Sequence, residues 1–348
     1  MLYYENLEEI IFNKHHHLDS ADELIVISGY LGPAPLLRIK ELPIQTTIIG
    51  GMYSQGINQS LFASFNKIKN QTPNLHLLFS TIEIHSKIYM WRKKERVIAA
   101  LIGSANFTRN GLGVDFRESL ADASNDTFAP LNKYLDLIMS NSTESPNINK
   151  KAYINEKPYQ TLDYQFQETK DKYLKLDSKY HCDIPLFGLQ NNVPYVYEKS
   201  GLNWGLSDGN VALGDAYIRI PKDLLKSNIE LIPPFDDTYT HTSKRIRNSD
   251  PIEIIWDDGF VMEASLEGVQ ILNGIRYPKQ IASYSRNLVS MSGERISAKS
   301  ILGRYLRKRL NVGLNDKITY ETLQKYGRTT ITLSLIEEGV YFADFSAL

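Results

Sequence analysis

Apolar residues in the first part of the chain alternate between short runs typical of buried strands and spacings typical of amphipathic helices. The pattern predicts helices over residues 5–15, 35–40, 58–69 and 131–139, and strands over residues 23–28, 46–49 and 75–79. Strands that alternate with helices indicate an α/β sandwich. We therefore expect this fold for the N-terminal domain.

The last third of the chain has a different pattern. Short apolar runs recur at residues 216–220, 252–256, 260–262, 269–271, 329–335 and 340–345. Turn sequences such as Asp257-Asp258-Gly259 and Leu272-Asn273-Gly274 separate some of these runs. Short strands with such turns predict a mostly β small barrel or pseudobarrel as the second domain.

Residues 300–310 combine apolar residues at helical spacing with four basic residues. This spacing predicts an amphipathic basic helix. We expect the helix to plug the barrel with its charged face in solvent. Its charge would then also help phosphate groups approach the barrel mouth.

A change in composition separates the two parts. Residues 140–150 are polar and rich in turn formers, which is typical of a linker, and residues 159–175 fit a connecting helix. The predicted organisation is a first domain over residues 1–150, a linker with that helix over residues 151–184, and a second domain over residues 185–348.

Composition narrows the class of protein. The chain has 348 residues, a formal net charge of −1 and one cysteine, Cys182. The near-neutral charge restricts any DNA site to a local basic patch, and a single cysteine fits a reducing compartment. The chain start lacks the features of a signal peptide, and no apolar run approaches the roughly 18 residues of a spanning helix. We expect a soluble cytoplasmic protein without membrane contact.

The candidate chemistry begins with a histidine and a lysine two positions apart, His85 and Lys87. Side chains alternate in extended backbone, so both are predicted to point to one face. A predicted hairpin with its polar loop at residues 92–96 brings Ser104 and Asn106 beside them. Neutral imidazole can attack phosphorus, while the lysine, hydroxyl and amide groups can bind the phosphate oxygens. The pattern predicts phosphodiester cleavage that needs no metal ion.

The His-x-Lys sequence followed by Gly-Ser-x-Asn resembles the signature of the phospholipase D superfamily. The aspartate usual in that signature is absent, and Arg92 stands in its place. That aspartate is largely structural in the superfamily, so its absence bears on packing more than on catalysis. The resemblance also implies a carboxylate that supports the histidine. Glu118 fits this role and Asp115 is the alternative, although either also fits an ordinary surface ion pair.

The signature occurs once in this chain. The superfamily mechanism resembles a relay in which one histidine forms a phosphohistidine and a second protonates the leaving oxygen and activates water. The resemblance therefore implies a symmetric homodimer, formed through the N-terminal domain, in which two copies of His85 share one active site.

Two segments of the second domain have the composition of DNA-reading loops. Residues 200–210 are rich in Asn, Ser, Asp and Gly around one tryptophan, and residues 240–248 are dense in phosphate-contacting types. Polar residues also alternate over residues 263–267. Flexible solvated loops are the alternative for each segment. The candidate DNA contacts are Asn203, Trp204, Gly205, Ser207, Asp208, Asn210, Lys244, Arg245, Arg247, Asn248, Glu263 and Ser265.

Four short sequences, at residues 202–205, 216–221, 302–310 and 326–329, resemble the C-terminal half of the NgoFVII/BfiI group of restriction endonucleases. With the first resemblance, this one spans nearly the whole chain. It implies a phospholipase D-like nuclease domain followed by a B3-like DNA-binding domain. Two arms of such a domain grip the major groove, and the resemblance places one at residues 203–210 and the other near residues 245–248 and 263–267.

The expected function is that of a site-specific, metal-independent restriction endonuclease that cuts at an offset from its duplex recognition site through a phosphohistidine. We expect no cofactor. A cognate methyltransferase and a separate helicase or ATPase subunit are the further partners considered. A lipid-directed phospholipase D or transferase and a DNA-binding regulator with an inactive nuclease domain are the alternatives.

Overall fold

The computed structural model describes residues 1–18, 20–149, 152–154, 174–176, 180–235, 249–284 and 296–347. It divides into two compact units, Met1–Lys150 and Lys151–Leu348. Each unit has its own hydrophobic core.

The first unit contains strands and helices in alternation. Its strands are β1 (Leu2–Tyr3), β2 (Glu23–Ser28), β3 (Gln45–Gly50), β4 (Ile57–Asn58), β5 (Leu75–Ser80), β6 (Ile88–Lys93), β7 (Arg96–Gly103), β8 (Leu120–Asp122), β9 (Ser142–Thr143) and β10 (Ile148–Asn149). Its α-helices are α1 (Leu7–Asn13), α2 (Pro33–Arg38), α3 (Gln59–Asn70), α4 (Arg109–Leu112) and α5 (Phe128–Ser140). Short 3-10 helices cover Lys14–His17, Ile39–Glu41 and Asn125–Thr127.

Among the described residues, eight of these strands form one sheet in the order β1-β8-β7-β6-β2-β3-β5-β9. Strands β2, β3 and β5 are parallel, and β6 and β7 continue the sheet as an antiparallel hairpin beside β2. Both faces of β2 are buried: Leu24 and Val26 alternate with Ile25 and Ile27. Ile25 and Ile27 share a core cluster with Leu135 of α5. Because a sheet buried on both faces needs helices on both, this burial confirms the predicted α/β sandwich.

The hairpin that follows the His-x-Lys sequence turns more tightly than predicted. The polar run at residues 92–96 was predicted to be the loop, but the strands extend to Lys93 and resume at Arg96. Only Lys94 and Glu95 form the turn, with φ of 47° and 63°. Two successive left-handed residues are the geometry of a type I′ turn, whose twist matches that of the flanking strands.

The segment predicted as a linker at residues 140–150 belongs largely to the first unit. Ser142 and Thr143 pair with β5, and Ile148 and Asn149 pair with β4. Polar composition suggested a linker, but the pairing of these two short strands depends on partners distant in sequence. Most of the predicted connecting helix at residues 159–175 lies outside the described residues, and its end belongs to a strand at Leu174–Leu176.

The second unit is mostly β. Its strands are β11 (Ala152–Ile154), β12 (Leu174–Leu176), β13 (His181–Pro185), β14 (Gly188–Gln190), β15 (Val193–Tyr195), β16 (Tyr217–Arg219), β17 (Ser249–Trp256), β18 (Val261–Leu272), β19 (Ile275–Ser283), β20 (Thr330–Glu337) and β21 (Val340–Asp344). Its helices are α6 (Lys222–Ser227), α7 (Ser300–Leu310), α8 (Tyr320–Tyr326) and a 3-10 helix at Gly201–Leu206. The sequence did not predict β19 or α8, and the two runs predicted at residues 260–262 and 269–271 form one strand, β18.

In the described part of this unit, seven strands form a sheet in the order β13-β20-β21-β17-β18-β19-β16. Leu186 follows one edge strand and Ile218 lies in the other, and both line the same cavity. The two edges of the curved sheet therefore face each other, which agrees with the predicted pseudobarrel. The sheet begins at His181, within the segment that the sequence assigned to the linker.

Helix α7 has the predicted bounds and packs Leu302 and Leu306 into the barrel core. Its charged face, however, is not solvated as predicted. Arg307 is buried and donates to the Leu202 carbonyl at 2.8 Å. Arg309 is also buried and forms a two-point ion pair with Asp257. The sequence showed the charges but not their partners, which lie on distant segments.

Replacing Asp257 with asparagine should unfold the second unit at a lower urea concentration. The Arg309 guanidinium also donates to the Phe345 carbonyl (3.0 Å) and to the Tyr326 hydroxyl (2.8 Å). It would have to break both hydrogen bonds to become solvated, so it stays buried in the variant. Leaving a buried charge without its partner costs about 3–5 kcal/mol. Trp256, whose ring centroid is 4.6 Å from that of Tyr305, provides the fluorescence change that follows unfolding.

The matched control is Asp223→Asn, which removes an exposed carboxylate paired with Lys226 at 2.8 Å. Its urea midpoint should equal that of the wild type. Equal midpoints for the Asp257 and Asp223 variants would contradict a stabilising role for the buried pair.

Candidate active site

The histidine and lysine of the candidate site lie in the loop between β5 and β6. The sequence predicted that His85 and Lys87 lie in a strand. Strand β6 begins only at Ile88, so both residues precede it. The loop contacts the turn that follows β3: the Ile84 N–H donates to the Gly51 carbonyl at 3.0 Å. A Cβ on Gly51 would lie 2.0 Å from the Ile84 carbonyl oxygen. Only glycine therefore permits this contact.

The His85 ring packs against the turn that follows β2. A Cβ on Gly29 would lie 2.7 Å from Cδ2 of His85 and 3.3 Å from Oδ1 of Asn106. The ring of Tyr30 meets the imidazole edge-on, with 6.0 Å between centroids. His85 is nevertheless exposed. The imidazole is thus held in place on one side and accessible on the other.

Lys87 is buried, with only 7 % of its surface exposed. Its Nζ donates to the His85 carbonyl oxygen at 2.7 Å. Burial lowers the pKa of Lys87, and the negative charge of Glu118 opposes that shift. This electrostatic interaction places the Glu118 carboxylate near Lys87, while its role as the carboxylate that supports His85 stays a prediction.

Ser104 and Asn106 follow β7. The Ser104 hydroxyl is exposed and accepts from the Ser119 N–H at 3.1 Å, while the Ser104 N–H donates to the Ser119 carbonyl at 3.0 Å. Asn106 Oδ1 accepts from the Tyr30 N–H at 3.2 Å. Because a backbone N–H occupies Oδ1, the amide presents Nδ2 as its donor to other groups. The Ser28 hydroxyl ties this loop to β2 by accepting from the Phe107 N–H at 2.9 Å.

Two charged residues considered from the sequence serve other contacts. Asp115, the alternative carboxylate, accepts from the Asn6 N–H at 2.8 Å and so anchors the start of α1. Arg92, which replaces the usual aspartate, pairs with Glu23 at 3.0 Å on the neighbouring strand. The ion pair provides local packing at the position where the aspartate is missing.

Sequence reasoning missed the residue that holds the middle of the His-x-Lys sequence. The Tyr134 hydroxyl on α5 and the Ser86 hydroxyl form a hydrogen bond of 2.7 Å. Ser86 lies between the two reactive residues in the chain, so this bond restrains the loop that carries both. The residues are 48 positions apart; Ser86 occupies the variable position of the His-x-Lys sequence, and Tyr134 belongs to no recognisable motif.

The structure corrects the DNA-contact prediction for Asn203, which is fully buried. Its Nδ2 donates to the carbonyls of Tyr197 (3.0 Å) and Ile318 (2.8 Å). Its Oδ1 accepts from the Ile318 N–H (2.9 Å) and from the Arg307 guanidinium (3.1 Å). These bonds satisfy the hydrogen-bonding capacity of the amide. Asn203 therefore stabilises the core and is not available to read a base.

Gly205 is buried as well. A Cβ there would lie 2.6 Å from the Ala212 carbonyl oxygen, so no side chain fits at this position. Trp204 is half-buried and its ring contacts Tyr217, with 5.7 Å between centroids. The accessible part of the predicted arm is its tip. There Asp208 and Asn210 are exposed and Ser207 is half-buried.

The second predicted arm is described only in part. Lys244, Arg245, Arg247 and Asn248 lie outside the described residues. Glu263 and Ser265 lie on β18, in agreement with the strand alternation predicted for them, and the buried Ser265 hydroxyl donates to Glu267 at 3.0 Å. Ser265 is thus part of an internal hydrogen-bonded cluster.

Among the residues that the structure describes, no three His, Cys, Asp or Glu side chains come together as a metal site. No described helix is both long and apolar enough to cross a membrane.

Two family profiles match consecutive parts of the chain. Residues 5–176 match the profile described as the NgoFVII restriction endonuclease N-terminal PLD domain, and residues 177–337 match the NgoFVII C-terminal B3-like DNA-binding domain. The chain belongs to the NgoFVII restriction endonuclease family. This family member is accordingly a restriction endonuclease, a hydrolase of phosphodiester bonds, and its second unit is a DNA-binding domain. The family resemblance drawn from the sequence is confirmed.

Solved structures similar to this NgoFVII family member match at low identity. NucT from Helicobacter pylori is 14 % identical over 41 % of this chain and 96 % of its own, with a TM-score of 0.30. Nuc from Salmonella typhimurium, a phospholipase D family member, is 13 % identical over 42 % and 97 %, with a TM-score of 0.29. Polyphosphate kinase from Porphyromonas gingivalis is 14 % identical over 40 % of this chain and only 21 % of its own, with a TM-score of 0.28. A search of curated proteins finds no significant match.

Replacing Tyr134 with phenylalanine should slow DNA cleavage by this NgoFVII family member without weakening DNA binding. The loss of one hydrogen bond to Ser86 should lower kcat by roughly two- to tenfold. Ser86→Ala should have the same effect, and the double variant should be no slower than either single variant. KM for DNA and the melting temperature should stay unchanged. Additive losses in the double variant would show that the two hydroxyls act independently.

Proposed function

We propose that this restriction endonuclease cuts DNA without a metal ion, through a covalent phosphohistidine on His85. The observation that carries the proposal is the position of the His85 imidazole. It is exposed and packs against Gly29, and the buried Lys87 amine donates to the backbone carbonyl of the same histidine at 2.7 Å. A nucleophile, a fixed positive charge and short-side-chain donors then surround one position, where a phosphate group fits.

In the first step, a nitrogen of His85 attacks the phosphorus atom, the N–P bond forms, and the bond between phosphorus and the leaving sugar oxygen breaks. The charge of Lys87 and hydrogen bonds from Ser104 and Asn106 stabilise the negative oxygens of the transition state. The leaving oxygen takes a proton from a second imidazole. That imidazole then removes a proton from water, which attacks phosphorus and releases His85.

The second imidazole is the partner subunit's His85 in a symmetric homodimer of the first unit. The chain contains one His-x-Lys signature, so one subunit supplies one histidine of this kind. A two-fold axis that passes between the two copies of His85 brings both to one shared site, where one acts as the nucleophile and the other as the general acid and base. One shared site holds one scissile phosphate at a time, so the two DNA strands are cut in sequence.

Recognition of a short duplex sequence belongs to the B3-like second unit, with the exposed tip at residues 207–210 as one contact. Cutting and recognition then lie on different units, which places the cut at an offset from the recognised sequence. A cognate methyltransferase that protects the same sequence is a further partner of such an enzyme. A separate helicase or ATPase subunit stays a prediction from the sequence.

His85→Ala should abolish plasmid cleavage and leave duplex binding unchanged, because the exposed ring leaves no large cavity. Wild-type protein quenched during cleavage of radiolabelled DNA should carry label that is stable to alkali and labile to acid, as expected of a phosphohistidine. Cleavage should persist in excess EDTA. His76→Ala is the matched control, since His76 is also exposed and pairs with Glu144 at 3.1 Å outside the site. Strict dependence on added magnesium would contradict the proposal.

Lys87 should give cleavage an alkaline limb below pH 10.5, the ordinary pKa of lysine, because its pKa is lowered in the folded protein. The charged amine is the active form, so kcat/KM should fall as pH rises through the lowered pKa. Lys87→Arg keeps its charge over this range and should lose the limb, at a lower rate.

Deprotonation of Lys87 does not itself unfold the protein. Between the lowered pKa and pH 10.5, Lys87 binds more protons in the unfolded state than in the folded state. The contribution of Lys87 to the free energy of unfolding therefore increases with pH in that window. Circular dichroism over the same pH range distinguishes lost catalysis from lost structure. An unchanged limb in Lys87→Arg would assign it to another group.

A further inference from the structure

A cavity of about 220 Å³ lies where the two edges of the second unit's sheet approach each other. Residues beside β13 line one side and residues of β16 line the other. Three aromatic residues, Phe187, Tyr197 and Tyr217, line it together with Arg219. The cavity is smaller than the roughly 300–1,000 Å³ of pockets for drug-sized ligands. It suits a ligand with the size of one small ring system.

The aromatic residues of this cavity are held by their neighbours. The Tyr197 ring lies against the backbone of Gly188, where a Cβ would be 2.9 Å from its Cε2 atom. Phe187 packs edge-on against Tyr320 with 5.1 Å between centroids. Tyr217 packs in the same way against Trp204 with 5.7 Å between centroids. A ligand that enters meets rings that are already in place.

The cavity also offers charge and hydrogen-bonding groups. The exposed Arg219 guanidinium lies 4.8 Å from the centroid of the Tyr197 ring. Strands β13 and β16 are the edge strands of the sheet, and an edge strand directs backbone N–H and C=O groups away from its one neighbour. Rings, a cation and backbone polar groups together fit a planar aromatic ligand with polar edges and a nearby negative charge. A nucleobase with its phosphate has these properties.

The position of the cavity connects it to DNA. Gly201 and Leu202 line it immediately before the predicted arm at residues 203–210, and Tyr217 lines it shortly after. The cavity therefore lies at the root of the segment whose tip, residues 207–210, we assign to DNA contact.

We propose that this cavity binds one unstacked nucleobase of the bound DNA, which stacks on the exposed Arg219 guanidinium where that group lies over the Tyr197 ring. The proposal rests on DNA recognition by the second unit. It does not depend on the histidine mechanism, because taking a base out of the stack is a binding step. A free deoxynucleotide has the same chemistry and is the other source to be tested.

The test compares two DNA duplexes that differ only by one bulged adenosine, which supplies a base already outside the stack. Fluorescence anisotropy measures their affinities for the full-length His85→Ala protein, which cannot cut them under the proposed mechanism. We expect the bulged duplex to bind roughly tenfold more tightly, the gain expected of one stacked base. Tyr197→Ala and Arg219→Ala, each added to His85→Ala, should remove most of this preference.

Arg276→Ala, in the same background, is the matched control for Arg219→Ala. Both arginines contact an aromatic ring of the second unit, and both replacements remove one positive charge; Arg276 lies 6.0 Å from the Phe235 ring centroid. The control should weaken binding to both duplexes equally and keep the preference. Because Arg219 is exposed, its variant keeps the test valid if Tyr197→Ala does not fold.

In a second experiment, dAMP, dGMP, dCMP or TMP is titrated into the protein and its tryptophan fluorescence is followed. Trp204 contacts the cavity residue Tyr217, while Trp91 and Trp256 are buried elsewhere. Saturation by a mononucleotide without a preference for the bulged duplex would overturn the assignment to DNA bases. Equal binding of the two duplexes, or a preference that survives in both Tyr197→Ala and Arg219→Ala, would overturn the proposal. The test measures binding by a protein that does not cut DNA, so a failure of the histidine mechanism would leave its result unchanged.

Discussion

The candidate active site depends on the close approach of the loop that carries His85 to two glycine turns. Gly29 and Gly51 immediately follow the neighbouring parallel strands β2 and β3, and the loop with His85 lies directly on both turns. A methyl group at Gly51 would collide with the Ile84 carbonyl, and one at Gly29 would collide with the imidazole. The carboxyl ends of parallel strands are where α/β proteins bind their ligands. The two glycines bring the nucleophile to that edge.

In the second unit, buried polar groups fix the position of helix α7. Asn203 connects the 3-10 helix at Gly201–Leu206 to Ile318 and to Arg307 of α7. Arg309, one turn away from Leu306 on the same helix, connects α7 to Asp257 at the end of β17. Each group is costly to bury alone and stable only with its partners. Helix α7 is thereby attached to the barrel in two places, at the 3-10 helix through Arg307 and at the end of β17 through Arg309.

The sequence predicted the sandwich well because its strands are continuous apolar runs, and the bounds of β2 and α7 were predicted to the residue. The motif names the candidate site residues as a set because they stand close together in the sequence, although strand periodicity was wrong for His85 and Lys87, which lie in the loop before β6. Sequence reasoning failed where the outcome depends on distant partners. Asn203 was taken for a base reader because exposed and buried asparagines look alike in sequence, and Ile318, which buries it, is 115 positions away. Tyr134 was missed for the same reason.

The burial of charged residues determines which cations of the second unit can bind DNA. Arg307, Arg309 and Arg328 are all buried, and two of them pair with buried aspartates, Asp257 and Asp344. Counterion release requires cations at the phosphate surface, so these three contribute nothing to it. Within the described residues, four acidic side chains of the second unit are buried as well, Asp215, Glu253, Asp257 and Asp344, so burial does not make its surface less basic than its composition. Phosphate contacts have to come from the exposed cations of this unit, and the loop tip and the ring-lined cavity offer short-range contacts in addition.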